Sequence, residues 1–319
     1  MPTRFDLLAV HADWSMDSRK RWMTLAHRQG NRWRVEAPQP VGDLPTLFAR
    51  LSVRAGGGPV VFGGDFPLGL PRAYAARHAS PPDFPSFLHG LADRPGFFAV
   101  CESLEQVGPD RPFYPARGVA GMTRAAHASA LGLGDADGLC RACDRATAER
   151  PAGAPLFWTL GANQSGKAAI TAWRDLLLPA LAAPVPPLLW PFAGDLRTLI
   201  APGRTVVAET YPAEALRHLG LRLSGSKRRQ DDRAALAPAL RAAMARLDAT
   251  VAADMDASLD AGFGADAAGE DRFDSVLGVL CVVNVLNGNR PGGVPDDPWI
   301  RTWEGWVLGQ TSLPRTERP

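Results

Sequence analysis

The chain has 319 residues, 46% of them hydrophobic and 21% charged, with a formal net charge of +2. This is globular composition, long enough for one large domain or two modest ones, and so near-neutral a balance neither establishes a nucleic-acid partner nor excludes a local basic groove. No run approaches the ~18 apolar residues of a membrane span, no charged-then-apolar segment marks a secretory signal, and the four cysteines make no disulfide scaffold, so a reducing cytoplasm is the expected compartment.

In chain order, Phe5 to Ala12 is an apolar run ending in Asp13 and reads as a first strand. Trp14 to Ser18 is turn material. Arg19 to Ala26 and Arg32 to Glu36 alternate as two more strands, with Gln29-Gly30-Asn31 as the hairpin turn between them. Leu44 to Val53 has helical spacing, with Asp43 at the N-cap and Gly56-Gly57-Gly58 closing it. Pro59 to Phe62 is too short for a helix and is followed by Gly63, Gly64 and Asp65. It reads as a buried strand that delivers Asp65 to the carboxyl end of a sheet, where open α/β sheets bind ligands. The order β-β-β-α-β favours a mixed sheet.

Residues 71–155 are rich in Pro, Gly and aromatics and read as a large insertion after the fourth strand, a lid or a wall for substrate. Short helices are expected at Leu88 to Leu91, Met122 to Leu131 and Ala136 to Glu149. Cys140 and Cys143 form a lone C-x-x-C, a weak zinc or redox signal better read as two incidental thiols on a helix. Leu156 to Leu160 is a further apolar run, and Ala168 to Leu181 a helix. Thr205 to Glu209 is a strand ending in an acid, and Ala213 to Leu219 a short helix. Ser226 to Gln230 is a basic loop, Asp232 to Val251 an amphipathic helix, and Asp271 to Leu286 a buried one. The Trp-rich tail from Trp299 to Leu308 is expected to pack back onto the body.

Three strands thus end in acids, Asp13, Asp65 and Glu209, and Asp271 and Asp274 lie three apart on one helix face. Each has a plainer alternative: a turn residue for Asp13 and Asp65, an Arg ion pair for Glu209, dipole-matching acids for the helix pair. Four separate elements delivering carboxylates to one sheet edge outweigh those alternatives. Clustered carboxylates repel one another unless cations bind, and their hard oxygens suit Mg²⁺ or Mn²⁺.

The segments DWSMD (from Asp13), GGDFPLGLP (from Gly63), FWTLGANQSGKAAI (from Phe157), ETYPAEAL (from Glu209), GSKRRQDDR (from Gly225), EDRFDSVLGVL (from Glu270) and EGWVLG (from Glu304) resemble the domain-of-unknown-function family four-two-nine, whose members are predicted RNase H-like nucleases. The likeness covers nearly the whole chain. It implies an α/β ribonuclease H-like fold, a five-stranded mixed sheet (β-β-β-α-β-α-β-α) flanked by helices, as a single domain over residues 1–319. It is also similar to the Holliday-junction resolvase branch, whose acids come from the first strand, the fourth strand and a D-x-x-D pair on the last helix. Here these are Asp13, Asp65, Asp271 and Asp274. The fourth-strand acid is Asp where the resolvases carry Glu, and the insertion has no counterpart there. Asp13 would bridge two metals and the other three would complete their shells, in a nuclease acting on phosphodiester bonds. Glu209 would be an added ligand or a substrate contact. Lys227, Arg228, Arg229, Arg233 and Lys167 would hold phosphates. Nucleic acid is the expected partner, with DNA, RNA, a branched junction and a small phosphoester all open.

Two other classes remain. Gly161 to Lys167 fits G-x-x-x-x-G-K after a strand-like run and before a helix, the setting of a phosphate-binding loop in a nucleotide hydrolase or kinase, although Ala168 stands where a hydroxyl would hold Mg²⁺. The third is a non-catalytic binding protein on the same fold. His11 reads as a satisfied strand histidine, and His127 and His218 have no evident partner.

Overall fold

In the computed structural model, which describes residues 7–118, 120–161, 165–311 and 313, the N-terminal apolar run is β1 (Leu8–Asp13), buried on both faces up to its last residue. Phe5 and Asp6 of the expected strand lie outside the described residues. β1 pairs antiparallel with β2 (Trp22–Gln29), which turns through Gly30, in the left-handed region, into β3 (Arg32–Val35). β4 (Gln39–Pro40) adds two residues beside β2. After α1 (Leu47–Arg54), β5 (Val60–Gly64) lies parallel to β1 on its other side.

The insertion contributes α2 (Arg72–His78), α3 (Phe84–Gly90) and α4 (Arg124–Ala130) among short 3-10 turns. α5 (Ser165–Thr171) continues through a widened turn at Ala172–Leu177 into α6 (Leu178–Leu181). Next come β6 (Leu188–Leu189), α7 (Leu196–Leu199) and β7 (Thr205–Glu209), with β7 parallel to β5. The remainder is α8 (Pro212–His218), α9 (Gln230–Ala235), α10 (Ala237–Arg246), β8 (Ala249–Val251), α11 (Ala253–Asp260) and α12 (Gly269–Leu286). The result is an α/β protein whose eight-stranded mixed sheet runs β6-β7-β5-β1-β2-β3-β8.

Strand alternation splits the core in two. Leu8, Val10, Val60 and Phe62 face a layer that contains α1, α5 and the aromatics of the insertion (Phe84, Phe87, Phe97, Phe113). Ala9, Val61, Val206 and Ala208 face α12 and the helices around it. α12 is apolar nearly all round because it is enclosed by the sheet, α8 and the tail, as such a helix must be. Each large aliphatic side chain it buries contributes roughly 1.5–3 kcal/mol.

Several expectations need correction. The sheet has eight strands and not five, because β4 and β6 are too short to carry a periodic signal and β8 lies within the expected helix 232–251. That helix stops at Arg246. Asp248, at φ 54°, turns the chain, and Thr250 and Val251 then pair beside β3. The strand expected from Arg19 starts at Trp22, after a 3-10 turn at Ser18–Lys20. α1 starts at Leu47 with Thr46 at its N-cap. Asp43 instead takes the Thr46 N–H at 3.1 Å and its hydroxyl at 2.7 Å, building the turn just before the helix. Residues 136–149 form two 3-10 turns, because the side chains of Asp135 and Asp144 capture the backbone N–H groups of Asp137 and Arg141. Cys140 and Cys143 are therefore not on a helix. Leu156 to Leu160 makes a turn and one isolated bridge, Tyr114 to Trp158. The tail does return to the body. Leu308 N–H donates to Glu209 O at 2.9 Å, and Trp306 is fully buried.

Candidate functional site

Side chains two apart on a strand share a face, so Asp13 lies on the side of His11, and Asp65 on the side of Gly63. Asp65 N–H donates to Ala12 O at 3.0 Å, extending the β1–β5 register one step past the Ala12–Gly64 pair. Asp13 and Asp65 are thus neighbours at two parallel strand ends, on the face that α12 covers. α12 seats there through one stripe. Ser275 Oγ meets Thr24 Oγ1 at 2.8 Å, Gly278 lies flat on the His11 ring, and Val282 packs over Gly63. A Cβ on Gly278 would collide with the imidazole, and one on Gly63 would stand 2.9 Å from Val282. The glycines let helix and sheet approach closely. One helical turn earlier than Gly278, the same stripe carries Asp274, then Asp271, past the ends of the strands.

The exit of Asp65 is also clamped. Gly69 and Gly305 bring the 66–71 loop and the tail into backbone contact too close for a Cβ on either, and Leu70 N–H donates to Trp303 O at 2.7 Å.

Burial, reinforced by Asp274, Asp65 and Asp271, holds the Asp13 carboxyl well above the ordinary range. Burial and Asp274 raise Asp65 to about 7, and burial raises Asp271 to about 6. Asp274 is raised by burial, against the pull of Lys227, whose Nζ lies 2.5 Å from Asp274 Oδ2. Burial disfavours the Lys227 ammonium, but Asp274 outweighs that and its pKa is raised. Asp271 Oδ2 and Asp274 Oδ1 are buried with no hydrogen-bond partner among the described residues, a costly state for a carboxylate. Hard oxygens, mutual repulsion and two orphaned acceptors fit a divalent cation.

The four aspartates and Lys227 line a cleft of about 720 Å³, together with Trp14, Met16, residues 150–154 of the insertion, Lys167 and α8. The rest of the expected set distributes differently. Glu209 is spent elsewhere. It is fully buried and accepts from Arg141 at 2.6 and 2.7 Å and from Leu68 N–H at 2.7 Å, so the plainer ion-pair reading holds for it. Arg233 is buried and donates to Gly262 O, Gly264 O and Lys227 O, so it buttresses the Lys227 loop and is closed to phosphate. Arg228 and Arg229 are exposed, with only long pairs to Glu270 at 3.9 Å and Asp232 at 3.7 Å, and they do not line the cleft. The strand that a phosphate-binding loop needs before Gly161 is not formed, and 162–164 lie outside the described residues.

Among the described residues, only Cys143, Asp144 and Glu209 bring three possible ligand atoms within 4.8 Å of one another. That group is not a credible ion site, because Arg141 occupies it, with Asp144 at 2.9 Å and Glu209 at 2.6 Å. The aspartates of the cleft stand further apart, as repelling carboxylates do.

Lys20, Arg217 and Glu270 also line the cleft and escaped the sequence reading. Glu270 adjoins Asp271, and Arg217 follows the ETYPAEAL segment, so proximity to marked segments was the available signal. His127 and His218 do have partners. His127 Nε2 lies 2.7 Å from Pro112 O, and His218 lies 3.5 Å from both Glu214 and Cys281. His11 is buried without a well-formed partner on either ring nitrogen among the described residues, and burial lowers it to about 3.

No described helix is long and apolar enough to cross a membrane. No protein-family model, curated protein or solved structure matches the chain.

Proposed function

We propose that the chain is a metal-dependent nuclease on a ribonuclease H-like scaffold, hydrolysing phosphodiester bonds with divalent cations held by Asp13, Asp65, Asp271 and Asp274. The observation that carries this reading is the convergence of two adjacent strand ends and the first turns of α12 on one cleft, with orphaned carboxylate oxygens inside it. The scaffold supports it too. An antiparallel β1-β2-β3 meander, continued beyond β1 by parallel β5 and β7, is the mixed arrangement that the sequence resemblance implies.

Hard carboxylate donors favour Mg²⁺ or Mn²⁺ over softer ions. When bound, such ions lower the pKa of water and offset the negative charge that builds on phosphoryl oxygens. The protein's own groups do the rest. Lys227 fixes Asp274 through one N–H and has two more for a phosphate oxygen. Asp65, raised to about 7 by burial and Asp274 without a cation, would give up its proton on ligating one, so binding near neutral pH releases protons. Arg233 keeps the Lys227 loop in place, and the glycine-seated α12 fixes its two aspartates against the strand ends.

The test is calorimetric titration of Mn²⁺ into wild type and Asp65→Asn, followed by cleavage assays on single-stranded, duplex, hybrid and branched substrates. Binding in wild type that is lost in the variant, with metal-dependent cleavage of one substrate class, is expected. Absence of Mn²⁺ binding in both proteins, with no cleavage, would sink the proposal.

A further inference from the structure

The cleft is electrically divided. Its acids lie at the strand ends and on α12, with Lys20 and Lys227 close enough to act on them: Lys227 is among the charges that shift Asp13, Asp65 and Asp274, and Lys20 among those that shift Asp271. Another wall, from α5 and α8, carries Lys167 and Arg217. Both stand on this wall, apart from the strand ends and α12 that carry the acids.

Lys167 is only partly exposed and has no ion-pair partner among the described residues. Arg217 donates through Nη1 to Glu214 at 2.9 Å and keeps 37% of its side chain exposed. Glu214 does not neutralise it, because Arg150 holds the same carboxylate from inside at 3.2 Å. The wall is therefore net positive: Lys167, Arg217 and Arg150 against one Glu214. It is also rigid, since Arg150 is buried and further tied to Pro151 O, Cys143 O and Gln310.

A small phosphoester has one phosphate to offer, over the aspartates or at this wall. A chain of phosphates offers successive ones to both. The cleft of about 720 Å³ is walled by the insertion, α5, α8 and the Lys227 loop, an enclosure on several sides that suits one strand laid along it. Resting on the nuclease reading above, we infer that the cleft takes a single nucleic-acid strand, with Lys167 and Arg217 holding the phosphate next to the one over the aspartates. Fixed phosphate contacts of this kind position a strand without reading its sequence.

The test is fluorescence anisotropy in EDTA with a labelled twelve-nucleotide single strand, the matching duplex, and a mononucleotide competitor. It is run on the full chain, as wild type and as Asp65→Asn, whose cleft floor repels a strand less. Strand binding at least tenfold tighter than duplex binding is expected, with little competition from the mononucleotide. Lys167→Ala and Arg217→Ala should each weaken it severalfold, and each should flatten the salt dependence by roughly 0.7 in log–log slope for one lost phosphate contact. Arg217→Lys should recover part of the loss, which a merely structural role would not allow, and melting curves establish that the variants fold. Equal affinity for strand and duplex, wild-type binding in both wall variants, or no strand binding in either background overturns the inference. If Mn²⁺ binding is nonetheless lost in Asp65→Asn, the metal centre stands and only the strand falls. If the strand binds at the wall and Mn²⁺ does not bind, the reverse holds.

Discussion

Replacing Arg141 by Met removes the one cation from a buried acidic knot. The guanidinium donates to Asp144 at 3.0 and 2.9 Å, to Glu209 at 2.6 and 2.7 Å, and to Leu68 O at 3.1 Å, and all three charged side chains are buried. Breaking a buried pair by deleting one partner costs about 3–5 kcal/mol. Two carboxylates are orphaned here, so Arg141→Met should fall at the upper end of that range. Glu209→Gln keeps the shape and one acceptor, and should cost about 1–3 kcal/mol. The double variant should lose clearly less than the two combined, with a coupling of roughly 2–3 kcal/mol. Urea unfolding of the four proteins at pH 7.5 gives each value. Additivity within about 0.5 kcal/mol would refute the Arg141–Glu209 pairing, as would zinc-dependent stabilisation of the wild type lost on Glu209→Gln, which would return Glu209 to the metal ligands.

Three further outcomes are expected. Asp65 has a folded pKa near 7, above that of an unfolded carboxyl, so the folded state binds more protons between about pH 4 and 7 and stability falls as pH rises through that window. In EDTA at pH 8, Asp65→Asn should therefore melt at or above wild type and lose the rise in Tm that Mn²⁺ gives wild type; wild type gaining stability relative to Asp65→Asn from pH 5 to 8 would contradict the sign. His127 runs the other way. Burial lowers it to about 4, so its contribution is present at neutral pH and is lost as pH falls from about 6.5 through 4, and His127→Gln should flatten acid unfolding there without touching Mn²⁺ binding. Gly278→Ala drives a methyl into the His11 ring and should cost about 1–3 kcal/mol, as overpacking in a well-packed core does, while weakening Mn²⁺ binding through the displaced Asp274. Unchanged Mn²⁺ affinity in a destabilised Gly278→Ala protein would separate the helix seat from the site.

Much of this arrangement could be read from the chain because its decisive parts are local. A buried strand ending in Asp65, a D-x-x-D at the start of α12 and an acid after β1 announce themselves through runs of a few residues. What stayed hidden depends on distant partners. Glu209 looks like Asp13 and Asp65 at the end of its strand, and only Arg141, 68 residues earlier in an irregular segment, decides its role. Arg228 and Arg233 look alike in sequence as neighbouring basic residues, yet Arg233 is consumed by three backbone carbonyls and Arg228 stands in solvent. β8 hid inside a helical pattern because a single left-handed residue, Asp248, reverses the chain.

The placement of α12 also bears on how the molecule comes into being. Asp13 emerges in synthesis well before the helix that carries Asp271 and Asp274, and before the tail that clamps the Asp65 exit loop. Until then β1 has its hairpin partner but no cover on the face that holds His11 and Asp13. Non-local closure of this kind is slow and leaves apolar strand faces waiting. The cleft thus forms only after α12 has been made, and a product truncated before α12 would carry half its acids on an uncovered sheet.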